Sequence, residues 1–224
     1  MVAVDVVGWL AVCIGASVAV PQLIRLLRTR KVDGLSLTAW RSILAMNIGW
    51  AAHGIRIDQF AMIVTNAIWL CSTVPILFLM ARQFRRRVLP LMLPSLVVAA
   101  AMITVDHVLG SAAYGVVAIA MAMVSNIGLS IQLVRAPHVS GVSSLFVTIA
   151  VANQVIWLVW GLLVHDAGTV MTASTVCALQ SFNLVWYVLR RLGMRAFFPR
   201  ETLAAPPAAV ILGPGLAVEG PAEP

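Results

Sequence analysis

The feature that most constrains this chain is a self-match that runs without a gap at an offset of 107 residues. It pairs Gly8 with Gly115, Arg28 with Arg135, Ser36 with Ser143, Trp50 with Trp157, Gly54 with Gly161 and Thr65 with Thr172. A match held in register over roughly 70 residues implies a duplicated structural unit and outranks any local motif. The copies are embedded in apolar runs, and two similar halves in a membrane typically enclose a path between them.

Hydrophobic residues make up 61% of the chain and charged residues 10%. Mean hydropathy is +0.98, outside the range of soluble domains. About 17 to 25 apolar residues cross a bilayer as a helix. Seven such stretches are read, near 3–24, 37–55, 59–81, 89–106, 111–134, 143–164 and 167–189. The fourth, opened by Pro90 and Pro94, gives the weakest signal. The first lacks a basic n-region, carries Asp5 and shows no small-residue cleavage site, so it is expected to be retained rather than removed as a signal. Cys13, Cys71 and Cys177 fall inside spans with no Cys-x-x-Cys or Cys/His cluster, and are expected to be packing residues; no metal site is expected.

The net charge of +7 is distributed by topology. Arg25, Arg28, Arg30, Lys31 and Arg41 surround the first loop, Arg82, Arg85, Arg86 and Arg87 follow the third span, Arg135 the fifth, and Arg190, Arg191, Arg195 and Arg200 the seventh. Only Arg56 falls on the other side. The positive-inside rule then places the amino terminus outside and the carboxyl terminus in the cytoplasm of a multi-pass cell-membrane protein. No nucleic-acid partner is expected.

Three helices are an odd number, so two copies joined directly would face opposite ways. The basic loop nevertheless follows the first helix of both copies, at Arg28 and Arg135, which requires parallel units and makes the unmatched fourth span a linker. The fold expected is an all-α integral membrane protein of seven helices, two parallel three-helix bundles joined by a linker helix. Its divisions are 1–84 for the first repeat, 85–108 for the linker and 109–191 for the second repeat. A Pro-, Gly- and Ala-rich stretch over 192–224 is expected to be a disordered cytoplasmic tail.

The segment PQLIRLLRTRKVDGLSL, Pro21 to Leu37, together with WAAHG at Trp50 to Gly54 and TNAIWL at Thr65 to Leu70, resembles the SWEET, SemiSWEET and PQ-loop transporter family. The resemblance covers both halves, about residues 5 to 190, in the seven-helix layout of SWEET proteins. It implies a carrier working by alternating access, with a small-molecule substrate, in particular a mono- or disaccharide, and no cofactor.

Pro21 removes a backbone donor within or at the end of the first helix, either as a hinge or as a terminator. The resemblance implies the hinge. The second copy has Gly128 and Leu129 where the first has Pro21 and Gln22, and Gly128 is the corresponding hinge candidate. Trp50 and Trp157, each followed four residues on by a glycine, are either interface anchors or walls of a pocket. A flat aromatic face suits the CH surface of a sugar ring, and the resemblance places both tryptophans in the substrate pocket. Asn66 carries a donor and an acceptor in the third span, suited to a helix–helix bond or a hydroxyl, and the resemblance makes it a pocket residue. Its repeat partner is Ala173, with Ser174 beside it as a substitute. Asn47 and Asn153 share helix faces with the tryptophans and complete the substrate-binding set. Gln154, adjacent to Asn153, is expected to be a packing residue, and Ser125 and Asn126 are further polar candidates.

His53, Arg56 and Asp58 end the second helix, and His165 and Asp166 the sixth. They form either an outer gate or an ordinary wet rim. No Asp or Glu lies deep within a predicted span, Asp106 and Asp166 being at edges, which favours a facilitative uniporter over a proton-coupled carrier. The rival readings are a proton-coupled carrier of amino acids or other small polar metabolites, and a non-transporting receptor or accessory subunit. No HExxH, Walker or nucleophile-elbow motif is present, so no catalytic residue is expected. A complete path fits in one chain, and a homo-oligomer is compatible with it.

Overall fold

The computed structural model describes residues 2–29, 36–139 and 142–199, without the side chains of 18–22, 25, 26 and 29. The side chain of the hinge candidate Pro21, the loop residues Arg30, Lys31 and Gly34, Gly141, and the expected tail from 200 onward lie outside the described residues. The described backbone forms seven helices: α1 (Val2–Thr29), α2 (Leu37–Arg56), α3 (Phe60–Gln83), α4 (Val88–Leu109), α5 (Ser111–Arg135), α6 (Ser144–Leu163) and α7 (Ala167–Arg191). Helix α1 passes through position 21 rather than stopping there.

Four of them, α3 to α6, are long and apolar enough to cross a bilayer by length and composition, and the chain is a multi-pass membrane protein. The fourth helix corrects the expectation, because α4 has the highest mean hydropathy of the four. Pro90 lies in its first turn, where a missing N–H costs little, and Pro94 one turn later, so the prolines weaken only the entry of the helix. Helices α2 and α7 are less apolar for a structural reason. They bury Ser42, Asn47 and His53, and Thr169, Thr172, Gln180 and Asn183, respectively. Ile55 is the one large apolar residue that α2 exposes, whereas α4 exposes Leu89, Leu93, Leu96, Val97, Val108 and Leu109. The cysteines are free, and Cys13 and Cys71 are exposed instead of packing inside, because the neighbouring helices pack on the other faces of α1 and α3.

Within the first half α3 lies against both α1 and α2, and within the second α7 lies against both α5 and α6. Between the halves α1 packs on α6 and α2 on α5, contacts that exchange under the repeat, and α4 rests on α2, α3 and α5. Apolar clusters around Trp40, Ile76 and Met80 and around Leu133, Phe146 and Tyr187 fill the two halves toward the start of α2 and of α6.

The duplication extends to local backbone chemistry. Ser36 and Ser143 cap α2 and α6, each hydroxyl accepting a 3.3 Å bond from the N–H three residues on. Both helices end in the same left-handed turn. Asp58 and His165 have φ of 54° and 55°, and the N–H groups of Gln59 and Asp166 reach back to the carbonyls of Gly54 and Gly161 at 2.8 and 3.0 Å. That return leaves no room for a side chain at Gly161, where a Cβ would stand 2.9 Å from Thr169 Cγ2. Arg190, buried at the end of α7, donates to the carbonyls of Leu133, Ala136 and Pro137 and so satisfies the C-terminal end of α5.

Candidate functional site

A cavity of about 270 Å³ lies where the two halves meet, with walls from α1, α2, α3, α5, α6 and α7. Each of these helices contributes on the face that its packing leaves turned inward. On α2 that face carries Asn47 and Trp50, on α3 Thr65, Asn66 and Trp69, on α6 Asn153, Gln154 and Trp157, and on α7 Thr172, Ala173 and Gln180.

Of the substrate-binding candidates, Asn47, Trp50, Asn66, Asn153 and Trp157 all line this cavity. Ser174 does not: it is exposed, its hydroxyl donates to Met171 O at 3.1 Å, and it is no substitute for the missing second asparagine. Ala173 is the wall residue there, and the next position lies about 100° further round the helix. Gln154 also departs from expectation, since it lines the cavity together with Asn153. The arc of α6 facing the cavity is wider than one residue, and a glutamine is long enough to reach round it.

The amides are held by the framework. Asn47 Nδ2 donates to Thr73 Oγ1 at 3.1 Å and Asn66 Nδ2 to Met62 O at 2.8 Å. In the second half a directed chain runs from Ser130 Oγ to Asn183 Oδ1 (2.7 Å), from Asn183 Nδ2 to Gln180 Oε1 (3.2 Å) and from Gln180 Nε2 to Asn126 Oδ1 (2.8 Å). Gln180 and Asn126 both face the cavity, so this chain gives the second half two oriented amides where the repeat partner of Asn66 is alanine. Ser125 lines it as well. The carbonyl oxygen of Asn153 is buried with no hydrogen-bond partner among the described residues. Gln180 escaped the sequence reading because the repeat directs attention to positions 173 and 174. A glutamine near the middle of an apolar span was the available signal, as was the self-matching pair Thr65 and Thr172, which both line the wall.

Beyond Trp50, at the end of α2, the gate candidates divide. His53 is fully buried, with Nδ1 2.9 Å from Asp106 Oδ2 and Nε2 3.1 Å from Asp166 Oδ2. Arg56 Nε donates to the same Asp106 oxygen at 2.7 Å. Ser111 Oγ donates to Asp166 Oδ1, and the N–H of Thr169 to Asp166 Oδ2 at 2.8 Å. Asp58 and His165 stay outside this cluster, exposed in the repeat-related turns that follow α2 and α6. Burial by itself raises the Asp166 carboxyl. The hydrogen bonds from His53, Ser111 and Thr169 outweigh it and hold the group well below the usual carboxylate range.

Asp106 and Asp166, at the edges of spans, are nevertheless buried, 2% and 7% exposed, which weakens the argument from edge position against a proton-coupled carrier. The helix ends on which they sit are tucked between α2, α5 and α7 rather than left at a wet surface. Tyr114 stacks on His53 at 4.7 Å, and Trp50 stands edge-on to Tyr114 at 4.8 Å, so the cavity wall and the ion cluster are in direct contact. The hinge candidate Gly128 is exposed within unbroken α5, with open space beside it.

Residues 3–40 match the PQ loop repeat family. The chain is also 31% identical over 67 residues to a protein from Escherichia coli (strain UMEA 3162-1) described as the sugar transporter SemiSWEET. That alignment covers 30% of this chain and 75% of the relative, so the relative corresponds to less than one repeat period of the present protein. With the seven helices consistent with a SWEET-like form, the chain belongs to the PQ-loop repeat family of membrane transporters, as a distant homologue of SemiSWEET.

Proposed function

We propose that this protein is a facilitative sugar carrier that works by alternating access. The observation that carries the reading is the joint placement of Trp50 and Trp157, one from each half, on the wall of one cavity that also presents Asn47, Asn66, Asn153 and Gln180. Two flat apolar faces and several amides suit a sugar, whose ring has an apolar CH surface and a rim of hydroxyls. The unpartnered Asn153 carbonyl is an acceptor for one such hydroxyl. A volume of about 270 Å³ is just below the usual span of ligand pockets, roughly 300 to 1,000 Å³, and favours a single ring over a larger glycan. The SemiSWEET relative, described as a sugar transporter, supports the same substrate class.

In this reading the two parallel three-helix bundles are 1–84 and 109–191, and 85–108 is the linker helix. The amino terminus is outside and the cavity lies near the bilayer midplane. The α2–α3 and α6–α7 turns then lie at the outer face, where His53, Arg56, Asp106 and Asp166 close the path, and Pro21 and Gly128 let the bundles rock. Asp58 and His165, exposed, would serve the gate only as its hydrated rim. No covalent step is involved.

The test is uptake of labelled glucose and sucrose into proteoliposomes, with and without an imposed pH gradient. Saturable uptake that needs no gradient and is lost in Asn66→Ala is the expected result. A second reading, a proton-coupled carrier of a small polar metabolite, is favoured by the buried carboxylates of Asp106 and Asp166. Amino-acid uptake that follows the proton gradient, without sugar flux, would replace the first reading with it.

A further inference from the structure

His53 touches a carboxylate oxygen with each ring nitrogen, 2.9 Å to Asp106 and 3.1 Å to Asp166. A carboxylate only accepts, and a neutral imidazole has one N–H. A neutral ring therefore satisfies one contact and sets two acceptors against each other in the second. Arg56 Nη2 lies 3.4 Å from Nδ1, beyond a normal N–H···N bond, and does not remove that conflict.

The charges give the same answer. With an imidazolium, His53 and Arg56 balance Asp106 and Asp166, whereas a neutral ring leaves two buried carboxylates facing one arginine, which is costly away from water. The Tyr114 face, parallel to the ring within 3°, also favours a cation.

The other groups around the ring do not supply a competing charge. From α5 come Ser111, bonded to Asp166, and Tyr114. Helix α3 has no charged residue before Arg82, at its far end. On α4 His107 is exposed and contacts Ile103 O, and the turn residues Asp58 and His165 are exposed.

We infer that His53, Asp106 and Asp166 form a proton-binding site that is complete only when the outer end of the path is closed. His53 belongs to the first half and Asp166 to the start of α7 in the second, so parting of the halves breaks the Nε2 contact and releases the proton. This rests on the alternating-access reading. Because the cluster lies on the outer side of the cavity, the proton enters and leaves by the same face, and external pH sets the rate of sugar movement without driving accumulation. By linkage, the ratio of closed to open outer ends rises by up to about tenfold for each unit fall in pH.

The experiment places spin labels at Ile55→Cys and Leu162→Cys, exposed repeat-related positions on α2 and α6, with Cys13, Cys71 and Cys177 changed to Ala. Distance distributions are measured in nanodiscs between pH 5 and 8. The short, closed distance should gain population as pH falls, and His53→Gln should make the distribution independent of pH. A pH-independent distribution with His53 present, or a pH response that survives His53→Gln, overturns the proposal. A second measurement needs no change at the site: with the exposed His107, His138 and His165 replaced by Gln, the ¹⁵N spectrum of His53 should show both ring nitrogens protonated where the closed distance dominates. A neutral ring there overturns the proposal. A pH-dependent distance without any sugar flux upholds the proton site and overturns the sugar reading.

Discussion

Gly115 on α5 meets Gly168 on α7 so closely that a Cβ on Gly115 would stand 2.8 Å from the Gly168 Cα. The repeat reproduces the contact with Gly8 against Ala61, where the added Cβ would meet the Ala61 Cβ at 2.8 Å. In both halves the first helix approaches the third through its smallest residue, as membrane helices commonly do. In the second half the obstacle is backbone, which cannot turn aside.

Gly115→Ala should therefore destabilise the protein by about 1 to 3 kcal/mol, the usual cost of overpacking. It should be seen as a lower thermal midpoint in detergent. Gly8→Ala sets its Cβ 2.8 Å from the Ala61 Cβ, which moves only with its own backbone, and should cost a comparable amount. A loss in Gly115→Ala with none in Gly8→Ala would contradict the equivalence of the two contacts.

Trp50 and Trp157 share a cavity but not a second duty. Trp50 also packs against Tyr114 and His53, while Trp157 packs against Trp160 within its own helix. Trp50→Ala should lower both sugar flux and thermal stability, the latter toward the lower end of the about 3 to 5 kcal/mol seen for buried aromatics. Trp157→Ala should lower flux with a smaller stability change. Flux and melting curves on the same preparations separate these outcomes.

Gln180 orients Asn126 and is itself oriented by Asn183. Gln180→Leu, close in volume, should raise the half-saturation concentration for sugar by about tenfold, equivalent to about 1.4 kcal/mol. Ser174→Ala, at an exposed position, should leave transport unchanged and stability within about 0.5 kcal/mol. Transport sensitive to Ser174 and indifferent to Gln180 would return the polar subsite to the position beside Ala173.

Asp166 caps α7 and pairs with His53, and its carboxyl titrates below the normal range. A depressed carboxyl contributes stability above its unfolded value, about 3.9, and loses it as pH falls toward the folded value. Asp166→Asn keeps a capping oxygen but removes the charge facing His53, and should lower the thermal midpoint at pH 6 by the equivalent of about 1.5 to 3 kcal/mol, the range for a hydrogen bond to a charged group. The gap from the parent should narrow as pH drops below about 4. A gap independent of pH would show that the charge of Asp166 contributes nothing.

The legible parts of the site were those written twice. Trp50 and Trp157 match across the repeat, and both reach the cavity; Ser36 and Ser143 match, and both cap helices. What differs between the copies was read unevenly, since Asn66 and Asn153 were named and line the cavity whereas Gln180 was not named. Gln180, whose repeat partner is the polar but different Thr73, was passed over, and Ser174 was chosen for its type although the helix turns it outward.

The amino-acid sequence by itself determined a helical membrane chain with two related halves and identified seven of the cavity's polar and aromatic walls. Periodicity and apolar length are properties of the chain in one dimension, and they carry that much. Tertiary structure alone decided that Asp106, predicted at the edge of a span, is buried against His53, a residue 53 positions away on another helix. Solvation depends on which helix ends are covered by neighbours, and no spacing along one helix records its neighbours' positions.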